Sequence, residues 1–236
     1  MQAENSLIGV GLYSLPEASA ITGIPSAVLS RWLFGYTSNS EGHKIHHAPV
    51  WTPQLQGYEQ KALGFMDLLE ARFVYAFRKH GVSLQAVRAA SEFAKECFNS
   101  DHPFTCREFK TDGRSIFAEL IKSEGLEEEA LIDLVKRQYA FKAVIGPSLY
   151  KGITYSETGE PLSWHPHGNR HIVLDPRRSF GRPIDQKSGV PTEVLYHAFK
   201  VEKDAKFVAR LYEVDLKAVA AAIEFEQGLF RDEVVH

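Results

Sequence analysis

Arg31 shares one side of its segment with Ser26, Ala27 and Ser30, and this set offers the chemistry of nucleic-acid contact. A guanidinium reaches a phosphate or a base edge, short hydroxyls hydrogen-bond at close range, and an alanine lets the backbone approach. Tyr36 and Lys44, just downstream, add a hydroxyl and an ammonium suited to a phosphate backbone. Near the other end, Leu229, Phe230 and Arg231 combine an apolar anchor with a guanidinium, a pair suited to a protein partner that carries carboxylates. Two histidine groups, His43 with His46 and His47, and His165 with His167 and His171, raise the question of a metal. Neither has the companions and spacing of a zinc frame, so no metal and no cofactor are expected. The chain holds no G-x-S-x-G elbow, no phosphate loop and no H-E-x-x-H, so no catalytic residue is assigned and no enzyme is expected.

These side chains need elements to hold them. Ser14-Leu15-Pro16-Glu17 has the S-x-x-E spacing of a capping box, with Pro16 in the first turn, where its missing donor is not needed. A helix therefore starts here, with Ala18, Ile21 and Ile24 as a short apolar face and Gly23 as the left-handed residue that ends it. In the next segment Val28, Leu29, Trp32 and Leu33 fall on one side at helical spacing. One face packs, and the face with Arg31 stays free. Gly35 to His47 is polar, and with a short strand at Val50-Trp51 it reads as a hairpin wing. From Gly64, the spacing of Phe65, Leu68, Leu69, Phe73 and Phe77 predicts a helix closed by Gly81, and Val82-Ser83-Leu84 opens another that runs to about Cys97.

The middle of the chain reads as strands. Phe104 to Phe109 alternates, an Asp112-Gly113 turn follows, and Ser115 to Phe117 resumes the pattern, which predicts a hairpin. Leu126 to Gln138 is expected to be a short helix, Tyr150–Tyr155 with Leu162–Trp164 a second hairpin, and His171–Leu174 a strand. From Pro191 on, helices return, with a corner at Tyr212 to Asp215. Glu213, Asp215, Glu224 and Glu226 are expected on the exposed face of this second corner; carboxylates repel phosphate, which favours packing or dimerisation there.

The 236 residues carry a net charge of −3, so any nucleic-acid contact must come from a local face. No apolar run approaches the roughly 20 residues that cross a bilayer, so no membrane association is expected. The start, Met-Gln-Ala-Glu-Asn-Ser, lacks the basic and apolar regions of a secretory signal, so a cytoplasmic location is expected. Cys97 and Cys106 read as free thiols.

Three regions result: 1–97 with the helical corner and the following helices, 98–170 rich in hairpins, and 171–236 helical. The fold class is α+β. Residues 11–97 resemble the MerR-type winged helix-turn-helix, carried by the Ser-x-x-Glu-Ala start, Gly23-Ile24, Val28-Leu29-x-x-Trp32 and Gly81-Val82-Ser83-Leu84. That resemblance implies a DNA-binding domain that reads with Ser26 to Phe34. Pro25 stands where members often have Ser, and Ser30 where they often carry a phosphate-binding arginine.

Residues 171–227 resemble the small helical domain, itself of unknown function, found in many VapB-like antitoxins. The carrying text is Gly181-Arg182-Pro183-Ile184, Gly189 to Leu195, Tyr212 and Val219 to Phe225; Lys187-Ser188-Gly189-Val190-Pro191 replaces the family's Gly-Thr-Arg-Ile-Pro. Together the two ends resemble the longer antitoxins of this type. The resemblance implies operator DNA and a PIN-like ribonuclease toxin as partners, self-repression of the operon, and Arg231 reaching the nuclease's acidic metal site. A weakly basic face also calls for a homodimer with two half-sites. The alternative is a stand-alone MerR-like regulator with a ligand-responsive central region.

Overall fold

The computed structural model describes residues 9–40, 43–107, 109 and 146–233. The chain opens with a two-residue strand β1 (Tyr13–Ser14), helix α1 (Leu15–Thr22) and helix α2 (Ser26–Phe34). The capping box forms as its spacing requires: the Glu17 carboxylate accepts from the Ser14 amide at 2.8 Å and from its hydroxyl, and Ser14 Oγ accepts from the Glu17 amide. Gly23 ends α1 in the left-handed conformation, φ 68°, and its amide donates to Ser19 O. Strands β2 (Tyr36–Ser40) and β3 (His43–His47) pair antiparallel, with Tyr36 opposite His47. Strand β4 (Ala62–Leu63) pairs with β1, and α3 (Phe65–Lys79) and α4 (Leu84–Phe98) follow.

Helix α3 is the axis of the main core. Phe65, Leu68, Leu69, Phe73 and Phe77 are all buried, each worth about 1.5–3 kcal/mol of transfer free energy. They pack with Ile21, Ile24, Leu29, Trp32 and Leu33 of the first helical corner, so the hydrophobic face of α2 is held while its other face is left outward. The same cluster takes in Trp164 and Leu174 from the strands that follow. Among these, β5 (Ile153–Tyr155) pairs with β6 (Pro161–Trp164), and β7 (Ile172–Val173) with β8 (Ile184–Asp185), as short antiparallel ladders.

Three helices close the chain: α5 (Thr192–Glu202), α6 (Ala205–Leu211) and α7 (Leu216–Glu233). They surround a second small core of Leu195, Val208, Val219 and Ala222. A left-handed turn at Ser179, Phe180 and Gly181 (φ 47°, 55° and 82°) ties this part to the front of the molecule. It aims two successive carbonyls at β1 and the residue before it: Phe180 O accepts from the Leu12 amide at 2.9 Å and Gly181 O from the buried Tyr13 hydroxyl at 2.7 Å. Burial, with the nearby Glu17 and Asp175 charges, pushes the Tyr13 hydroxyl above its ordinary pKa, so it stays a donor.

Three expectations are corrected. Val50 and Trp51 do not form a strand: they are buried in a bend, and the Val50 amide donates to Trp32 O at the end of α2. The described residues from Phe104 to Phe109 do not form a strand either. Pro103–Thr105 is a 3-10 turn, and Phe104 and Phe109 pack edge to face at 5.0 Å in the same core. A strand would send residues five apart to opposite faces. Glu226 is buried, not exposed. The second half of the first expected hairpin, from Thr111 onward, and the helix expected at Leu126 to Gln138 lie outside the described residues.

Candidate nucleic-acid interface

The outward face of α2 carries the residues singled out from the sequence. Ala27 and Arg31 are exposed, and Ser26 and Ser30 are half-buried. Ser26 has a structural task as well: its hydroxyl donates to Leu15 O at 3.2 Å, which fixes the angle between α1 and α2 and leaves its oxygen lone pairs for an incoming donor. Pro25, at the N-cap, supplies no side-chain cap, so α2 begins without an internal anion substitute.

The wing stands beside this face. Gly35 makes the corner between α2 and β2, with φ 69° and ψ −179°, a combination open to glycine alone. Tyr36 then stacks on His47 across the ladder, with centroids 4.3 Å apart and planes 13° from parallel. The Arg31 guanidinium lies 5.9 Å from the Tyr36 ring centroid. Guanidinium, phenol and imidazole therefore form one ledge at the junction of helix and wing. Thr37 Oγ1 and Ser38 Oγ hydrogen-bond His46 Nδ1 and His47 Nε2, each at 2.9 Å, which stiffens a hairpin with little core beneath it. Lys44 is exposed on β3, opposite Asn39.

The chain leaving the wing is pinned twice: by Val50 N to Trp32 O at 2.7 Å, and by Arg88 of α4, which donates to Ala48 O at 2.6 Å. Among the expected residues, Ser26, Ala27, Ser30, Arg31 and Tyr36 thus share one surface, with Lys44 further out on the wing. His47, weighed from the sequence only as a metal ligand, and Gly35 and Arg88 were not assigned to this surface; the Tyr36–His47 pairing is the signal that register alone would have shown. Leu229 is half-buried against the main core, and Phe230 and Arg231 fall within the last turns of α7. Among the described residues no group of three or more His, Cys, Asp or Glu side chains could hold a metal ion, and no helix is long and apolar enough to cross a membrane.

Two helices joined by a glycine corner, with a β hairpin beside the second, define a helix-turn-helix domain. Residues 11–91 match the family described as "Putative DNA-binding HTH domain". The chain is 29% identical over 194 residues to "Putative antitoxin VapB45" of Mycobacterium tuberculosis (strain ATCC 25618 / H37Rv), covering 77% of this chain and 79% of that protein. Its fold is that of the X-ray crystal structure of Rv2018 from Mycobacterium tuberculosis, with a TM-score of 0.71, 24% identity, and coverage of 92% of this chain and 99% of that one.

Proposed function

We propose that this protein is a DNA-binding antitoxin that represses its own operon and neutralises a PIN-like ribonuclease. The observation that carries the DNA half is the ledge of Arg31, Tyr36 and His47 beside the outward face of α2. In this reading Ser26, Ala27, Ser30 and Arg31 enter the major groove, while Tyr36 and Lys44 hold the phosphate backbone from the wing. Residues 11–91 carry seven Lys or Arg and five Asp or Glu, with Asp67 and Glu70 buried. So modest a positive face favours a homodimer on two half-sites. The antitoxin half is supported by the similarity to "Putative antitoxin VapB45", with Leu229, Phe230 and Arg231 as contacts to the nuclease.

Two measurements test it. Arg31→Ala is expected to weaken binding to the operator by about 1–3 kcal/mol in a fluorescence anisotropy titration; unchanged affinity would take Arg31 off the reading face. A pull-down of the tagged protein from its host should recover a small nuclease in near-equal amount. A chain ending before Gly228 should then fail to stop RNA cleavage by that nuclease, and full inhibition by the shortened chain would remove the tail from the contact.

A further inference from the structure

A cavity of about 210 Å³ lies between α1 and the C-terminal helices. Room for about seven waters, at roughly 30 Å³ each, suits a ligand of about that many heavy atoms. Its apolar wall includes Ile21 of α1, Pro183 and Leu229 of α7. Its polar side holds three carboxylates, Glu17, Glu193 and Glu226, and one guanidinium, Arg182, which is already paired with Glu193 at 2.7 Å. The field in the cavity is therefore that of an unbalanced negative charge.

Glu226 is the group that sets the chemistry. Its residue is only 7% exposed, yet it lines the cavity. The Thr192 hydroxyl hydrogen-bonds Oε1, and among the described residues Oε2 takes no hydrogen bond. Burial, with the Glu193 charge, raises the carboxyl above its usual range, while the Thr192 bond and the nearby His197 act against it. A buried carboxylate with one open oxygen, beside an apolar wall and with the Arg182 guanidinium already taken by Glu193, matches a short alkyl chain ending in a positive, hydrogen-bonding head. A group serving only to join α7 to α5 needs the Thr192 bond but not the open space beside it.

We propose that this cavity is a binding site for a small organic cation, an alkylguanidinium or alkylammonium, anchored by Glu226. The site goes beyond the antitoxin reading and does not depend on a nuclease partner. One of its walls is the first helix of the DNA-binding domain, so by linkage any effect of the ligand on DNA affinity is matched by an equal effect of DNA on ligand affinity.

The test is calorimetric titration of the full chain with n-butylguanidinium, with butyrate and n-butanol as charge controls. One saturable site is expected for the cation at about millimolar dissociation constant, as its size allows, with no site for butyrate or butanol. Glu226→Gln, nearly isosteric, should weaken the cation about tenfold or more. Ala20→Leu, which fills the cavity from α1 without removing a polar group, should abolish binding while circular dichroism stays that of the parent, and it decides the matter if Glu226→Gln does not fold. No saturable site, equal binding of butyrate, or parent-like binding by a folded variant would overturn the proposal.

Discussion

Asp67→Ala is expected to lower the unfolding free energy by about 3–5 kcal/mol, read as a shift of the urea midpoint with the slope unchanged. Asp67 is fully buried in the first turn of α3, and four donors converge on its two oxygens. Oδ1 accepts from Trp51 Nε1 and from His102 Nε2, both at 2.9 Å; Oδ2 accepts from the Gln54 amide at 3.1 Å and the Gly64 amide at 2.9 Å. With a carboxylate as acceptor, His102 carries its proton on Nε2. One side chain thus joins the segment after the wing, the start of α3 and the turn that follows α4. Alanine removes every acceptor at once and leaves the donors buried, the case in which lost hydrogen bonds are most expensive.

Asparagine should not rescue it. An amide offers one oxygen and one NH2 where the site requires two acceptors, so either orientation sets the NH2 against a pair of N–H donors. Asp67→Asn should therefore fall well short of the parent in the same titration, although its volume is nearly unchanged. If asparagine were as stable as aspartate, the network would be worth no more than its packing.

Asp67 also marks where sequence reasoning stopped. Its neighbours Phe65, Leu68 and Leu69 announce the helix, and a Gly64-x-x-Asp67 start has the spacing at which an acid reaches back to the preceding amide. What could not be read is that Trp51 and His102, far apart in the chain, donate to the same carboxylate. Val50-Trp51 looks like a strand because apolar pairs often are strands. Here the pair turns inward because an indole N–H had a buried partner to meet.

The corner itself was legible because its signals are local: a capping box, a glycine that must take positive φ, and apolar positions at helical spacing. The wing was harder, since β2 and β3 are mostly exposed and lack the alternation that a half-buried strand shows. Its order comes from cross-strand pairs between polar groups and a stacked Tyr–His pair, which become visible only once the register is known. Glu226 was misplaced for another reason. It lies four residues after Ala222 and seven after Val219, both buried, so helical spacing puts it on the inner face of α7. Its charge argued for solvent and outweighed its position.

Gly35→Ala is expected to reduce operator affinity more than Arg31→Ala does, by about 3 kcal/mol or more, because it displaces the wing rather than deleting one contact. The glycine holds a φ of 69° with an extended ψ, a region that costs a residue with a Cβ on the order of 1–3 kcal/mol. An added Cβ would also collide with the His47 carbonyl oxygen, a backbone atom that cannot rotate away. The structure must relieve both by moving β2 and β3, yet Ala48 is tied to Arg88 and Val50 to Trp32, so the exit from the wing is fixed. The strain then falls on the Tyr36–His47 stack and on the placement of Arg31 beside it. The core around α3 lies on the other side of α2, so circular dichroism and the far-UV melting curve should retain a folded helical protein. Paired measurement of melting and operator binding separates the outcomes: folded protein with lost affinity places the wing in the interface. A folded variant that binds as tightly as the parent would show that the junction of α2 and β2 does not touch DNA.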